Sequence, residues 1–197
     1  MATNIEIEAK VLIEEEGFKK VKELYEDYAN TAYIQTNYYI DTPNFDLRKN
    51  GVGLRIRQFE KKYVVTLKTP LSEGLLEKTE TITKEQYKSM RDKNIFPDIK
   101  IRSFIIMLGF NVEELKILTS LRTERIDVAY DTGLFSMDRN EYSGKVDYEL
   151  EKESNNLKGA EEFLIDICTK AGIPFTINRV TKQARAFDRL IELQSEK

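Results

Sequence analysis

The sequence predicts an α+β fold in which eight antiparallel strands form a β-barrel or tunnel, with helices packed on the outside. Three observations lead to this fold class. Eight segments alternate polar and apolar residues with the two-residue period of a strand. Most of these segments are joined by short turns, which suit antiparallel pairing. Other segments repeat apolar residues at helical spacing, and such helices can cover the apolar side of a sheet.

The first predicted strand runs from Ile5 to Val11 and has two different faces. Its apolar face is expected to pack on a core and consists of Ile5, Ile7, Ala9 and Val11. Its other face carries two carboxylates and an amine, Glu6, Glu8 and Lys10. The same arrangement recurs along the chain.

A helix and four more strands follow. The helix, at about residues 15 to 29, is predicted from apolar and aromatic residues at helical spacing, namely Phe18, Val21, Leu24, Tyr25 and Tyr28. The strands are rich in β-forming residues and end at turn-forming ones. They run from Tyr33 to Asp41, from Leu54 to Arg57, from Tyr63 to Lys68 and from about Leu75 to Ile82.

Two helices separate these strands from the last three. The helices are predicted at Glu85 through Lys93 and Ile99 through Leu108, with Pro97 between them and Gly109 at the end. The strands follow at about Lys116 to Tyr130, at Leu134 to Tyr142 and at Val146 to Glu151. Their turns are Asp131-Thr132-Gly133 and Ser143-Gly144.

Two further helices close the chain. The first is lined by apolar residues between Leu157 and Ala171, among them Cys168, which we expect to be inert packing. The second, at about Val180 to Leu193, is predicted to place four apolar residues opposite three basic ones. The apolar residues are Val180, Ala184, Phe187 and Ile191, and the basic residues are Lys182, Arg185 and Arg189.

Composition excludes several classes of function. The chain has 197 residues, which suits a single domain spanning residues 1–197. With 31 basic and 34 acidic residues its net charge is −3, which argues against a stable nucleic-acid partner. Because there is no histidine and one cysteine, Cys/His zinc sites and Ser-His or Cys-His nucleophiles are excluded. No apolar run is long enough to span a membrane, and no signal peptide is evident, so we expect a cytoplasmic protein.

The charged strand faces allow two arrangements. In one, helices cover one side of an open sheet and the charged side faces water. In the other, the sheet forms a tunnel whose lumen is lined by the charged residues, which are Glu6, Glu8, Lys10, Arg55, Arg57, Lys68, Arg125, Glu149 and Glu151. We favour the tunnel because single strands carry like-charged pairs, which are unfavourable unless they are neutralised. A metal-bound polyphosphate would neutralise both the acidic and the basic pairs.

These motifs resemble the CYTH domain, the triphosphate tunnel metalloenzyme family, over nearly the whole chain. Glu6-x-Glu8-x-Lys10 is similar to the family's ExExK signature, and Arg55-x-Arg57 to the basic pair on its third strand. Further positions match the family pattern in order: Lys68, Lys78-x-Glu80, Arg125, Asp138, Glu149-x-Glu151 and Thr181-Lys182, which departs slightly from the commoner Ser-Lys. The size suggests a small, free-standing member of bacterial type.

The resemblance implies a role for each group of residues. Basic residues would bind the phosphates, namely Lys10, Arg55, Arg57, Lys68, Lys78, Arg125, Lys182 and Arg185. Acidic residues would hold Mg²⁺ or Mn²⁺, namely Glu6, Glu8, Asp138, Glu149 and Glu151. Glu6, Glu8 and Lys10 would take part in catalysis, with Lys10 as a phosphate ligand or as a base that activates water. Glu80 would support the residues that contact substrate.

The leading hypothesis is a metal-dependent hydrolase of tripolyphosphate or of a triphosphorylated small molecule. A class IV adenylate cyclase and a non-catalytic polyphosphate- or nucleotide-binding module are the alternatives, and a charged scaffold without a ligand stays open. The expected partner is a small polyphosphate or triphosphate, with no membrane, and a homodimer stays open.

Overall fold

The computed structural model of the chain describes residues 1–27, 31–72, 74–130 and 133–196. These residues form two compact units, each built from segments that are distant in sequence. The first unit contains Met1–Ile5, Gln35–Leu121 and the chain from Lys182 onward. The second contains Glu6–Ile34 and Arg122–Thr181. The single domain spanning residues 1–197 stays a prediction.

The first unit contains a sheet with strand order β1-β6-β5-β4-β3. Its strands are β1 (Ala2–Glu6), β3 (Tyr33–Asp41), β4 (Gly53–Phe59), β5 (Lys62–Pro70) and β6 (Leu75–Ile82). Its helices are α2 (Asp46–Lys49), α3 (Lys84–Lys93), α4 (Lys100–Met107) and α6 (Lys182–Ser195). The pairs β3–β4, β4–β5 and β5–β6 are antiparallel. A short 3₁₀ helix, Val112–Glu114, follows α4.

The core of the first unit lies on one face of this sheet. Ile56 and Val65 are fully buried there, and α3 and α4 cover them with Met90 and Ile105. Helix α3 begins at a capping box in which Thr83 and Gln86 bond each other's backbone. The opposite face carries Arg55 and the other charged residues that share its two-residue period.

The second unit contains a sheet with strand order β7-β8-β9-β2. Its elements are β2 (Glu8–Ile13), α1 (Glu15–Leu24), β7 (Lys116–Tyr130, of which Arg122 onward belongs here), β8 (Gly133–Tyr142), β9 (Lys145–Glu153) and α5 (Leu157–Ala171). All three registered pairs are antiparallel. Ser143 and Gly144, both with positive φ, form the two-residue turn between β8 and β9. Helices α1 and α5 cover one face through Val21 and Leu164.

The predicted continuous first strand is wrong. β1 ends at Glu6 and β2 begins at Glu8, with Ile7 between them. β1 lies beside β6, whereas β2 pairs with β9, so the two halves have different neighbours. Ile5 is 62% exposed, which contradicts its predicted place in a core.

The last helix and one short helix differ from the sequence prediction. In α6 the fully buried residues are Ala186 and Phe187, and Phe187 makes ring contacts with Tyr39 and Phe45. Val180, which precedes α6, and Ile191 are exposed, although both were predicted to lie on its apolar face. Helix α2 was not predicted. It depends on the buried Asp41 carboxylate, which accepts hydrogen bonds from the backbone of Thr42, Leu47 and Arg48.

The described part of the chain has nine strands rather than the predicted eight, because the first strand is divided. The end of the first helix, predicted at about residue 29, and the turn residues Asp131 and Thr132 lie outside the described residues. Among the residues described, no helix combines the length and apolar character needed to cross a lipid bilayer.

Lys152 is a charged residue on the helix-covered face of β9. It is 1% exposed, and its Nζ is buried without a hydrogen-bond partner in the described structure. The ammonium lies 5.2 Å from the ring centroid of Tyr130 and 5.1 Å from that of Phe163. Cation–π contacts of this kind recover only part of the cost of removing a charge from water. Burial lowers the pKa of Lys152 although Glu153 raises it.

We expect Lys152→Met to raise the free energy of unfolding at pH 7 by about 1–2 kcal/mol, because Met keeps the length of the side chain and removes the buried charge. The gain should shrink as the pH rises. Between the lowered folded-state pKa and the ordinary value of 10.5, the unfolded chain binds more protons, so the wild type becomes more stable with rising pH.

Urea unfolding at pH 7 and pH 9.5 measures both effects. Lys158→Met on α5 is the matched control, since that side chain is 83% exposed, and should change stability by less than about 0.5 kcal/mol. A destabilised Lys152→Met protein would show that the cation–π contacts outweigh desolvation.

Candidate active site

Three basic residues of the first unit share the sheet face opposite its helix-covered core. Arg55 and Arg57 are two residues apart on β4, and Lys68 pairs with Gly53 on the adjacent strand. Because side chains two residues apart point to the same face, these three cations line one surface. The Nζ of Lys68 lies 3.3 Å from Glu77 on β6, which the sequence analysis did not select.

β3 adds a buried polar pair to this surface. Asn37 lies opposite Arg57 and accepts a hydrogen bond from its Nε at 3.1 Å. Tyr39 lies opposite Arg55. Tyr39 was not selected from the sequence, although its spacing of two residues from Asn37 places it on the same polar face of β3.

The hydroxyl of Tyr39 is surrounded by positive charge. It is buried and has no hydrogen-bond partner within the described residues, and the same is true of the Nε of Arg55. Burial raises the pKa of Tyr39, while the positive charges of Arg55, Lys182, Arg57 and Arg185 lower it. Helix α6 therefore brings the predicted phosphate ligands Lys182 and Arg185 into the same electrostatic environment as Arg55 and Arg57.

Lys78 and Glu80 do not join this group. They lie opposite the buried Leu67 and Val65, on the helix-covered face of the sheet. The Nζ of Lys78 lies 4.2 Å from the ring centroid of Phe104, and Glu80 accepts a hydrogen bond from the Ile101 backbone at the start of α4. Both contacts hold α4 against the sheet.

In the second unit, carboxylates from two adjacent strands meet. Asp138 on β8 lies opposite Glu149 on β9, and Glu151 follows two residues later on the same face. One carboxylate oxygen of each lies within 4.8 Å of one from each of the other two. Asp138 and Glu149 are fully buried. We call these three residues the acidic cluster.

Arg125 and Asn178 contact the acidic cluster. Arg125 on β7 donates from Nε and Nη2 to Asp138 at 2.7 and 2.5 Å, and from Nη2 to Glu151 at 2.5 Å. Burial lowers the pKa of Arg125, but Asp138 and Glu151 raise it well above its ordinary value. Asn178, which the sequence analysis missed, donates to Glu149 at 2.9 Å. Arg122, three residues before Arg125 on β7, is 43% exposed, and its Nη1 lies 4.0 Å from Glu141 Oε2.

The ExExK residues lie at the junction between β1 and β2. Glu6 ends β1 and is half-buried, and Glu8 begins β2. The ammonium of Lys10 contacts the carboxylate of Glu8. Lys10 also lies opposite Glu151 in the register of β2 and β9, so the motif is adjacent to one member of the acidic cluster.

The acidic cluster fits a hard divalent cation. Mg²⁺ and Mn²⁺ favour carboxylate oxygens, and in an octahedral shell around Mg²⁺ neighbouring oxygens are about 3.0 Å apart and opposite ones about 4.2 Å. The three carboxylate oxygens, which lie within 4.8 Å of one another, would move closer together to share one ion. The donor set contains no sulfur or imidazole, so a softer metal would find poorer ligands.

Comparison with known proteins agrees with this geometry. The CYTH domain family model matches residues 4–185. The chain belongs to the CYTH domain family. It is 32% identical over 156 residues to the "Putative triphosphatase YjbK" of Bacillus subtilis, covering 78% of this chain and 80% of that protein.

Two solved structures show the same fold. A putative adenylate cyclase from Bacillus halodurans is 30% identical, with a TM-score of 0.86 over 95% of this chain and 100% of the other. A putative adenylyl cyclase from Hippeastrum, reported to have a dominant triphosphatase activity, is 23% identical, with a TM-score of 0.80 over 93% of this chain and 96% of the other. The predicted fold class is confirmed.

Proposed function

We propose that this CYTH protein is a metal-dependent hydrolase of inorganic tripolyphosphate or of a small triphosphorylated molecule. The acidic cluster is the observation that carries the proposal. Burying Asp138 and Glu149 completely, with Glu151 beside them, is costly unless cations compensate the three carboxylates. Binding an anion requires no such cluster, so the site suits metal-assisted chemistry better than simple anion binding.

The relatives support the same reaction class. The Bacillus subtilis relative carries a triphosphatase name, and the Hippeastrum protein is reported to have dominant triphosphatase activity in spite of its cyclase name. The cyclase names of that protein and the Bacillus halodurans protein favour cyclisation of ATP as the second candidate.

The basic residues of the first unit would bind and align the phosphates. Arg55 and Arg57 present guanidinium groups that match phosphate oxygens, and Lys68, Lys182 and Arg185 would add positive charge. Holding the anion in a fixed conformation lowers the barrier because less freedom is lost on the way to the transition state. The hydroxyl of Tyr39 would donate a hydrogen bond to a phosphate oxygen, which would give it the partner that it lacks among the described residues.

The carboxylates of the second unit would hold the metal. Asp138, Glu149 and Glu151 are the proposed ligands, and Glu6 and Glu8 are proposed to complete the set. A Mg²⁺ or Mn²⁺ ion held by these carboxylates would supply charge neutralisation for the phosphates and activation of water. Lys10 is proposed as a phosphate ligand, with activation of water as its alternative role. Asn178 would keep Glu149 oriented through its 2.9 Å hydrogen bond.

We expect phosphate release from tripolyphosphate in the presence of Mg²⁺ or Mn²⁺ and none in EDTA. Pyrophosphate would leave part of the basic surface unpaired, so tripolyphosphate should have a kcat/KM at least about 10-fold higher, a difference of about 1.4 kcal/mol. The assay supplies tripolyphosphate, thiamine triphosphate, ATP and pyrophosphate in separate reactions and measures phosphate, pyrophosphate and cyclic AMP.

The products separate the candidate functions. Cyclic AMP and pyrophosphate from ATP would establish the cyclase instead. Tight binding of tripolyphosphate without turnover of any triphosphate, in either metal, would contradict the hydrolase and identify a binding module.

A further inference from the structure

The guanidinium of Arg125 occupies the part of the acidic cluster between Asp138 and Glu151. Its Nη2 lies 2.5 Å from Asp138 Oδ2 and 2.5 Å from Glu151 Oε2, so one nitrogen bridges the two carboxylates. Its Nε donates to the other oxygen of Asp138 at 2.7 Å. Both oxygens of Asp138 and one oxygen of Glu151 are therefore bonded to the same cation.

This arrangement is a buried ion pair with good geometry. The Arg125 side chain is 13% exposed and that of Asp138 is 0% exposed, so water screens the interaction little. Two nearly parallel N–H groups on one carboxylate form the bidentate contact that guanidinium makes best. The same oxygens that would hold a metal are thus engaged by an internal cation.

We propose that Arg125 is an internal counter-cation that competes with the divalent metal for Asp138 and Glu151 and that moves to the phosphates when the substrate binds. The inference rests on the proposed function, because it assumes that the acidic cluster is the metal site. It predicts weak metal binding without the anion and stronger binding with it. Metal and substrate would then enter the site cooperatively.

The chemistry of arginine permits both positions. The planar guanidinium group can form two parallel hydrogen bonds to a phosphate as well as to a carboxylate. A lysine ammonium lacks this geometry and interacts with both anions mainly as a point charge. A metal on Asp138 and Glu151 would take lone pairs that now accept the N–H groups of Arg125, and its positive charge would repel the guanidinium. A phosphate oxygen would supply the replacement acceptor, so Arg125 is neutralised in both states.

The first test measures Mn²⁺ affinity by calorimetry without any anion. Arg125→Gln should bind Mn²⁺ at least about 10-fold tighter than the wild type, within the usual range of coupling between sites. Arg122→Gln removes the same charge from the same strand at a side chain that is 43% exposed, and should change the affinity less than about 3-fold. Equal affinities for Arg125→Gln and the wild type would overturn the proposal, as would equal gains for both variants.

A second arm measures the coupling with a non-hydrolysable methylene analogue of tripolyphosphate. The analogue should raise the Mn²⁺ affinity more in the wild type than in Arg125→Gln, because only the wild type contains the competing guanidinium. The same enhancement in both proteins would contradict the proposal. None of these binding measurements requires turnover, so a protein that binds Mn²⁺ as expected but hydrolyses nothing would refute the proposed function and leave this inference standing.

Arg125→Gln leaves the buried carboxylate of Asp138 without its partner, a change that can unfold a protein. A third measurement therefore uses the wild type alone. Nitrogen-detected NMR of the arginine side chains, with Arg125→Lys to assign the resonance, follows the Nε–H group of Arg125 during titration with Mg²⁺. The resonance should shift, and its protection from solvent exchange should fall, with the same midpoint as metal binding. Metal binding with an unchanged Arg125 resonance would overturn the proposal, as would the absence of metal binding in every protein tested.

Discussion

Glu149→Gln is expected to reduce metal-dependent hydrolysis of tripolyphosphate by at least about 100-fold. Glu149 is fully buried and lies opposite Asp138, with its Oε1 bonded to Asn178. Gln has nearly the same shape, so the packing can persist while one of the proposed metal-ligating charges is lost. Changing a residue that only supports a metal ligand typically lowers activity by about 10–100-fold. Changing the ligand itself is expected to lower activity by more.

The same variant should still bind the substrate anion. In EDTA, tripolyphosphate should bind Glu149→Gln as tightly as the wild type or tighter, because a negative charge has been removed. Calorimetry in EDTA and in Mn²⁺, alongside phosphate release, separates the two effects. Glu141→Gln is the matched control, since that side chain is 51% exposed, and should keep wild-type turnover. Normal metal-dependent turnover by Glu149→Gln would remove Glu149 from the proposed metal site.

The charged faces of the strands could be predicted because alternation depends on nearest neighbours in sequence. The spacing of Glu149 and Glu151 places both on one face wherever β9 pairs. Their register with β8 then places Asp138 beside Glu149. Arg125 falls on the same face because it lies opposite Asp138. The acidic cluster thus follows from a pattern that is visible in the sequence together with antiparallel pairing.

The pattern could not decide which face of β6 packs on the core. Lys78 and Glu80 alternate with Glu77 and Thr79, so both faces are polar and the alternation is ambiguous. Pairing decides it, because Lys78 lies opposite the buried Leu67 whereas Glu77 lies opposite Lys68. A shift of one residue in register would exchange the two faces. Lys78 contacts Phe104, and Glu80 contacts the start of α4. Both contacts join residues that are distant in sequence, so the local sequence pattern does not predict them.

The alternation of polar and apolar residues also could not predict the break between β1 and β2 at Ile7. Alternation continues from Ile5 to Val11, so the sequence reads as one strand. The two halves belong to β1 and β2, which pair with different neighbours. Strand pairing is a property of the folded chain, and the period of the side chains carries no information about it.

Arg55→Met is expected to weaken tripolyphosphate binding by about 1.5–3 kcal/mol, which is the usual loss for a hydrogen bond to a charged group. The loss should be present both in EDTA and in Mn²⁺, because Arg55 is proposed to contact the anion and not the metal. Arg57→Ala should have an effect of the same size. Tyr39→Phe removes one neutral donor, and should cost about 0.5–1.5 kcal/mol.

Although Arg55→Met should bind tripolyphosphate more weakly, its folded state should be no less stable than that of the wild type. The Nε of Arg55 is buried without a partner within the described residues, and positive neighbours surround the Tyr39 hydroxyl opposite it. Replacing such a cation with an apolar side chain removes both desolvation and repulsion, so the free energy of unfolding should stay equal or rise by about 1 kcal/mol. Urea unfolding and calorimetry on the same preparations measure the two quantities. Arg91→Met, at a side chain that is 49% exposed on α3, serves as the control and should alter neither. Normal tripolyphosphate binding by Arg55→Met would contradict the proposed contact between Arg55 and the phosphates. The role proposed for β4 in substrate binding would then be lost.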